Sequence, residues 1–173
     1  VEHIDFVNGI LEAHGVSSDD VDDAARRDSM GFANNLSIEG ALGHLDVAFA
    51  HPIKLIANAL GVPPKEMLAR GRQNGVAVAA LVGAKSHALN QVQAGVDILV
   101  VAGGEAGGHC GSVSTMVLVP EIHAAIQDHG DTPILAAGGI VTGRQMAACM
   151  AMGASGVWTG SVWLTTAEGA TNP

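Results

Sequence analysis

The chain has 173 residues, of which 48% are apolar and 14% are charged. This length fits one domain with a sizeable core, and the composition excludes intrinsic disorder. No apolar run approaches the roughly 18 residues that a membrane-spanning helix needs, so we expect no membrane contact. The first residues, Val-Glu-His, do not have the form of a signal peptide.

The net charge is −9, from 17 acidic and 8 basic residues. The basic residues form no patch that would neutralise a phosphate backbone, which excludes nucleic acid as a partner. Cys110 and Cys149 are too few for a disulfide framework and lack metal-ligand spacing, and the histidines do not cluster. We therefore expect a reducing, cytoplasmic compartment and no metal site.

Acidic residues concentrate at the beginning of the chain. Residues 1–30 hold eight acidic and two basic side chains, and a run of aspartates in this stretch is typical of a solvated surface. We therefore divide the chain into an acidic N-terminal segment, residues 1–36, which the sequence defines poorly, and a domain over residues 37–173.

From residue 37 onward, helix and strand patterns alternate. Ser37 is the predicted N-cap of a helix that Pro52 ends. Continuous apolar runs predict five strands over residues 53–58, 76–82, 97–102, 133–137 and 156–159. Between the strands, the pattern predicts helices over residues 63–75, 86–94, 120–130 and 142–153. Thr142 and Gln145 at the start of the last helix have the spacing of a capping box.

Strands that are apolar on both faces and alternate with helices indicate a parallel sheet covered by helices. Two architectures fit this pattern, an open doubly wound sheet and a (β/α)8 barrel. A complete barrel usually needs about 250 residues. The barrel alternative therefore requires that the N-terminal strands are missing and that five to six βα units are present here.

Glycine-rich segments follow three of the predicted strands, where ligand sites of parallel α/β folds lie. Gly138 and Gly139 follow one strand and precede a helix, while Gly160 and Ser161 follow the next strand. Glycine lets backbone N–H groups converge on an anion, and a helix N-terminus favours a phosphate. Two such loops on consecutive strands predict one phosphate site, although either loop alone could equally be a tight turn.

The longest predicted loop, after the strand at 97–102, contains His109 among glycines. Long loops at strand ends are often functional, and histidine ionises near neutral pH, which suits a general base. Cys110 is interpreted as a bystander. Glu105 could be catalytic, but we favour a role in holding the loop by hydrogen bonds.

At these residues the sequence resembles the nitronate monooxygenase family of FMN-dependent (β/α)8 barrels. The similar segments are residues 105–111 (Glu-Ala-Gly-Gly-His-x-Gly), residues 133–140 with Gly143 and Arg144, and residues 156–161 (Gly-Val-Trp-Thr-Gly-Ser). The first motif is also found in FMN-dependent enoyl-acyl-carrier-protein reductases. The resemblance implies a TIM-type barrel that is incomplete here, because residues 1–36 do not contain the family's first strands.

The resemblance also implies a role for each candidate residue. His109 corresponds to the family's catalytic histidine, which deprotonates a nitroalkane or orients the nitronate beside the flavin. Ala102 and Leu81 stand where many relatives carry a polar residue and some a lysine, which would weaken FMN binding unless backbone amides compensate. The implied FMN-binding residues are Ala106, Gly107 and Gly108 beside the flavin, and Gly138, Gly139, Gly160 and Ser161 at its phosphate.

The activity implied by the resemblance is the oxidation of alkyl nitronates by oxygen to carbonyl compounds and nitrite. One alternative is an enoyl-thioester reductase that uses FMN with NAD(P)H, although this acidic chain offers no clear basic patch for a dinucleotide phosphate. A second alternative is a non-catalytic barrel fragment that binds a phosphate ligand. The open strand edges of an incomplete barrel favour association between copies of the chain.

Overall fold

The computed structural model describes residues 2–17 and 38–169. The chain divides into two compact units, Val1–His51 and Pro52–Pro173. In the first unit, the described elements are helices α1 (Glu2–Ala13) and α2 (Ile38–Phe49). The boundary predicted between residues 36 and 37 and the predicted N-cap Ser37 lie outside the described residues.

The second unit alternates strands and helices, as the sequence predicts. Each of the five predicted strands is present, and its ends lie within two residues of the predicted ones. The elements are β1 (Leu55–Asn58), α3 (Lys65–Asn74), β2 (Ala77–Val82), α4 (Lys85–Ala94), β3 (Ile98–Ala102), α5 (Thr115–Ile126), β4 (Ile134–Ala137), α6 (Gly143–Ala151) and β5 (Gly156–Trp158). Short 3-10 helices follow α5 (Gln127–His129) and β5 (Ser161–Thr165).

The strands form one parallel sheet in the order β1-β2-β3-β4-β5. Each strand therefore pairs with the next one along the chain, from Leu55 beside Ala77 to Ala137 beside Trp158. A doubly wound sheet reverses its strand order at a switch point, whereas a β/α barrel advances in one direction. The strand order thus decides between the two predicted architectures in favour of the barrel type.

The two faces of the sheet carry different cores, because successive side chains of a strand point to opposite faces. Leu99 and Val101 of β3 belong to the large core that includes Ile134 of β4 and buried residues of α4, α5 and α6. On the opposite face, Val100 and Ala137 belong to a smaller apolar cluster. The helices therefore cover one face, and the inner face of the barrel arc remains available for a site.

Both predicted ends of one helix are wrong, because α5 runs from Thr115 to Ile126 and not over residues 120–130. Helix α5 begins at Thr115, whereas the sequence predicted a start at Pro120, which lies inside the helix. Proline lacks an N–H, so the carbonyl of Met116 loses its usual helical donor. The early start nevertheless buries Leu118 and Val119 completely, and this apolar burial offsets the lost hydrogen bond.

The inward face of α5 is testable with two similar side chains. Leu118 is fully buried, whereas Met116 is 69% exposed on the same helix. We expect Leu118→Ala to lower the free energy of unfolding by about 2–5 kcal/mol, because it leaves a cavity. The matched Met116→Ala should change it by no more than about 0.5 kcal/mol. Urea unfolding followed by circular dichroism measures both, and equal losses would contradict the orientation of α5.

Candidate functional site

A cavity of about 350 Å³ lies at the carboxyl ends of β3, β4 and β5. This volume falls within the roughly 300–1,000 Å³ that small-molecule sites occupy. The cavity brings together seven of the eight predicted site residues: Ala106, Gly107, His109, Gly138, Gly139, Gly160 and Ser161. The eighth, Gly108, is not among the lining residues. We call this space the main cavity.

The β4–α6 loop is held in place by the start of helix α6. Gly138 and Gly139 have φ values of +112° and +64°, a region that favours glycine. The predicted capping box is present, since the Gln145 N–H donates to Thr142 Oγ1 and the Thr142 N–H donates to Gln145 Oε1. Gln145 also donates through Nε2 to the Gly139 carbonyl over 2.9 Å. The cap therefore fixes the glycine loop as well as the helix.

The β5 loop presents backbone next to the β4–α6 loop. Trp163 donates through Nε1 to Thr159 Oγ1 and through its backbone N–H to the Gly160 carbonyl. A Cβ built at Gly160 would meet no protein atom within 4 Å, so this position borders open space. In the described part of the chain, the N–H groups of Gly139, Gly160 and Ser161 donate to no protein acceptor. These donors suit a phosphate group.

A carboxylate closes the β3–α5 loop onto helix α5. Glu105 Oε2 accepts hydrogen bonds from the Thr115 backbone N–H at 2.9 Å and from Thr115 Oγ1 at 2.8 Å. The same hydroxyl lies 3.1 Å from the Ala137 carbonyl oxygen, so its hydrogen is shared between two acceptors. These contacts confirm the predicted loop-holding role of Glu105, whose negative charge is favoured at the helix N-terminus.

Two glycines make this contact possible. A Cβ at Gly103 would overlap the backbone nitrogen of Thr115, and one at Gly138 would lie 2.7 Å from the Thr115 hydroxyl oxygen. Thr115 is itself buried. The sequence pattern does not single out Thr115, because Pro120 indicates a later helix start. The available signal was a polar residue followed at helical spacing by Leu118 and Val119.

His109 lies on the loop that Glu105 anchors. Its side chain is exposed and has no hydrogen-bond partner among the described residues. His109 lines the main cavity and also a second cavity beside it. Cys110 points its Sγ toward the Gly104 carbonyl, 3.7 Å away. His109 is therefore an ionisable ring that borders both cavities.

The walls of the main cavity contain side chains to which the sequence analysis assigned no role. Trp158 at the end of β5 is 38% exposed, and Thr159 and Val162 follow it. Leu81 and Ala102, which depart from the resembled family, also line this cavity. The signal available for Trp158 in the sequence was its position at the end of a predicted strand.

The described residues hold neither a cluster of metal-ligating side chains nor a membrane-spanning helix. No three His, Cys, Asp or Glu side chains come together there as a metal site requires. Among the helices described over residues 2–17 and 38–169, none has the length and apolar character needed to cross a bilayer.

The Glu105 contact predicts a pH dependence of stability. The backbone bond and then the hydroxyl bond from Thr115 lower the pKa of the Glu105 carboxyl. A carboxyl with a lowered pKa stabilises the fold above its unfolded pKa, usually about 4.3, and loses that effect as pH falls through its folded pKa. We expect Glu105→Gln to reduce stability at pH 7 and the difference from wild type to shrink in this acidic range.

Thermal unfolding of both proteins between pH 7 and pH 3 measures this effect. The matched control is Glu121→Gln. This substitution also removes one carboxylate, but the ion pair between Glu121 and Lys85 lies on the surface. A difference in melting temperature between wild type and Glu105→Gln that stays constant from pH 7 to pH 3 would contradict the contact.

A family model described as nitronate monooxygenase matches residues 9–173. The candidate monooxygenase Rv1533 of Mycobacterium tuberculosis is 51% identical over 171 residues, which cover 99% of this chain and 44% of that protein. The (3aS,4S,5R,7aS)-5-hydroxy-7a-methyl-1-oxo-octahydro-1H-indene-4-carboxyl-CoA dehydrogenase of Rhodococcus jostii is 38% identical over 72% of this chain and 34% of that protein. The chain thus spans less than half of either relative.

Among solved structures, the nitroalkane oxidase of Streptomyces ansochromogenes is similar to this chain with a TM-score of 0.66. The two are 30% identical, and the match covers 75% of this chain and 40% of the other. Together with the strand order, this likeness confirms the predicted barrel-type fold. The family match includes the whole second unit, so the chain belongs to the nitronate monooxygenase family.

Proposed function

We propose that this chain forms the FMN phosphate site and carries the catalytic histidine of a flavin-dependent nitronate monooxygenase. The observation that carries the proposal is the main cavity, which joins His109 to two loops with unused backbone N–H donors. Membership of the nitronate monooxygenase family supports the flavin chemistry. The nitroalkane oxidase neighbour supports a nitro compound as substrate.

The residues present fit FMN. Gly139, Gly160 and Ser161 offer backbone N–H groups and one hydroxyl to the phosphate, and no protein atom fills the space beside Gly160. Ala106 and Gly107 present backbone to the flavin ring. When bound, FMN supplies the electron transfer that couples nitronate oxidation to oxygen.

His109 acts on the substrate. In its neutral form, the ring removes the proton next to the nitro group of a nitroalkane, which gives the nitronate. In its protonated form, the ring donates a hydrogen bond to a nitronate oxygen and holds the anion. The Glu105–Thr115 contact positions the loop, and the apolar walls at Leu81, Val100 and Trp158 keep water from the reacting carbon.

A second candidate function is oxidoreduction of an acyl thioester. One observation favours it, because the Rhodococcus relative is named as a dehydrogenase of a carboxyl-CoA compound. Flavin reduction by NAD(P)H that speeds up in the presence of an enoyl thioester would support this candidate. Flavin bleaching by an anaerobic alkyl nitronate, without nicotinamide, would support the preferred one.

The phosphate site predicts a preference for FMN over riboflavin, which lacks the phosphate. Charge-assisted hydrogen bonds are worth about 1.5–3 kcal/mol each, so we expect FMN to bind at least about tenfold more tightly. Gly160→Ala should remove most of this preference, because its Cβ enters the open space beside the loop. Quenching of flavin fluorescence measures both affinities.

Gly143→Ala is the matched control for this experiment. Its Cβ also meets no protein atom within 4 Å, and Gly143 does not line the main cavity. An equal effect of both substitutions on FMN affinity would contradict the assigned site. Failure of the chain to bind FMN would contradict the proposed function.

The role of His109 predicts an effect on turnover and none on cofactor affinity. General acid–base catalysis contributes about 10²–10⁴-fold, so we expect His109→Asn to lower kcat for a neutral nitroalkane by about this factor. The loss should be smaller for a preformed nitronate, which needs no proton removal. The matched control is His129→Asn, because His129 is exposed and does not line the main cavity. Oxygen uptake measures turnover, and unchanged turnover of His109→Asn would exclude it as a catalytic residue.

A further inference from the structure

The second cavity that His109 lines has a volume of about 270 Å³ and lies at the carboxyl ends of β1, β2 and β3. The glycine loops of the main cavity follow β4 and β5, at the other end of the strand order. His109 belongs to the loop after β3 and lines both cavities, as Leu81 and Ala102 do. A molecule beside His109 therefore has the glycine loops on one side and the second cavity on the other.

The position of FMN in the proposed function leaves the second cavity free. A phosphate held by the β4 and β5 loops places the cofactor in the main cavity, on one side of His109. The part of the substrate that does not react then needs space on the side of β1 to β3. The second cavity borders His109 on that side.

The second cavity is lined mainly by apolar residues. In the described part of the chain, no Lys, Arg, Asp or Glu lines it, and its titratable lining residues are His87, His109 and Cys110. A permanently charged group bound there would lose hydration without gaining an opposite permanent charge. The apolar lining residues are Ala59, Leu60, Leu81, Val82 and Ala102.

The β1–α3 loop forms one wall of this cavity and is fixed by hydrogen bonds. Asn58 Nδ2 donates to the carbonyl oxygens of Leu60 and Gly61, over 2.9 Å in each case. Gln91 Nε2 donates to the Gly61 carbonyl oxygen over 2.8 Å. Leu60 is nevertheless 71% exposed. A fixed loop loses little order on binding, and an apolar molecule that covers Leu60 removes apolar surface from water.

A second wall is formed by backbone in close contact. Gly83 and Gly111 both line the cavity, and a Cβ built at Gly111 would lie 2.5 Å from the Gly83 carbonyl oxygen. The loop that carries His109 is therefore packed on the β2–α4 loop near its end, in addition to the contact of Glu105 near its start. The cavity is thus bordered by held backbone at both walls.

We propose that the second cavity binds the non-reacting part of the substrate, and that this part is an uncharged apolar chain of several carbons. The proposal rests on the proposed function for the reacting end beside His109. The volume is several times the roughly 30 Å³ share of one water molecule, so several methylene groups find room there. The selected substrates are longer nitroalkanes, and nitro compounds that end in a carboxylate are bound weakly.

The test compares 1-nitropropane, 1-nitrohexane and 6-nitrohexanoate, in which a carboxylate replaces the terminal methyl group of 1-nitrohexane. Each buried methylene strengthens binding by up to about fourfold, so we expect the wild-type chain to bind 1-nitrohexane at least about tenfold more tightly than 1-nitropropane. The carboxylate would lose hydration, so 6-nitrohexanoate should bind at least about tenfold more weakly than 1-nitrohexane. Titration calorimetry at about pH 8, where histidine is ordinarily neutral, measures the three affinities.

Ala59→Trp tests where the chain of the nitroalkane binds. Ala59 is exposed and lines the second cavity but not the main cavity, so an indole at this position takes up space in the second cavity alone. We expect the preference for 1-nitrohexane over 1-nitropropane to fall to about twofold or less. Ala124→Trp, at an exposed position of α5, is the matched control and should retain the preference.

Leu60→Asp is a second variant, for the outcome in which Ala59→Trp does not fold or turns its indole toward solvent. The carbonyl of Leu60, and not its exposed side chain, accepts the hydrogen bond from Asn58. The added carboxylate should also reduce the preference for 1-nitrohexane to about twofold or less. Equal binding of 1-nitrohexane and either other compound to wild type, no binding of any compound, or a preference that persists in both variants would overturn the proposal.

Titrations without flavin separate this proposal from the proposed function. A chain that binds no FMN but shows a preference for 1-nitrohexane that depends on Ala59 would lose the proposed function and retain the apolar subsite. A chain that binds FMN and oxidises nitronates without this preference would retain the function and lose the subsite. With FMN bound, the preference should persist, because cofactor and chain occupy different cavities, and its loss on addition of FMN would also overturn the proposal.

Discussion

The hydrogen bonds between Glu105 and Thr115 join three elements that the site needs in a fixed arrangement. The accepting carboxylate belongs to the loop that carries His109, and both donors belong to Thr115, the first residue of α5. The hydroxyl of the same threonine also reaches the Ala137 carbonyl at the end of β4. Each contact lies at the carboxyl end of the sheet. The loop is consequently anchored at its base, while its glycine-rich tip with His109 makes no hydrogen bond among the described residues and faces the cavities.

This anchoring explains why small residues are required around Thr115. Gly103 and Gly138 both approach it so closely that a Cβ would displace the threonine. The two glycines belong to the ends of neighbouring strands, so the contact also draws the β3 and β4 loops together over the main cavity. Tight packing of backbone against backbone here leaves the other loop glycines, such as Gly107 and Gly160, beside open space. Some glycines therefore serve packing, and others leave room for a ligand.

Most of the fold and part of the candidate site can be predicted from the sequence. Apolar runs predicted all five strands because a strand buried on both faces has a local signature, and the capping box at Thr142 is equally local. The start of α5 was not predictable in this way. It depends on a hydrogen bond between residues ten positions apart, and the local proline signal at Pro120 favoured a later start.

Ala102 is a position where a departure from the resembled family affects the shape of the cavities. Many members of the resembled family carry a polar residue at this position. We therefore expect the alanine to lower the affinity for flavin. In the structure Ala102 lines both the main cavity and the second cavity beside it, as His109 does. A longer side chain at this position would take up space in one or both cavities. The alanine therefore leaves free space beside His109 that a larger residue would occupy.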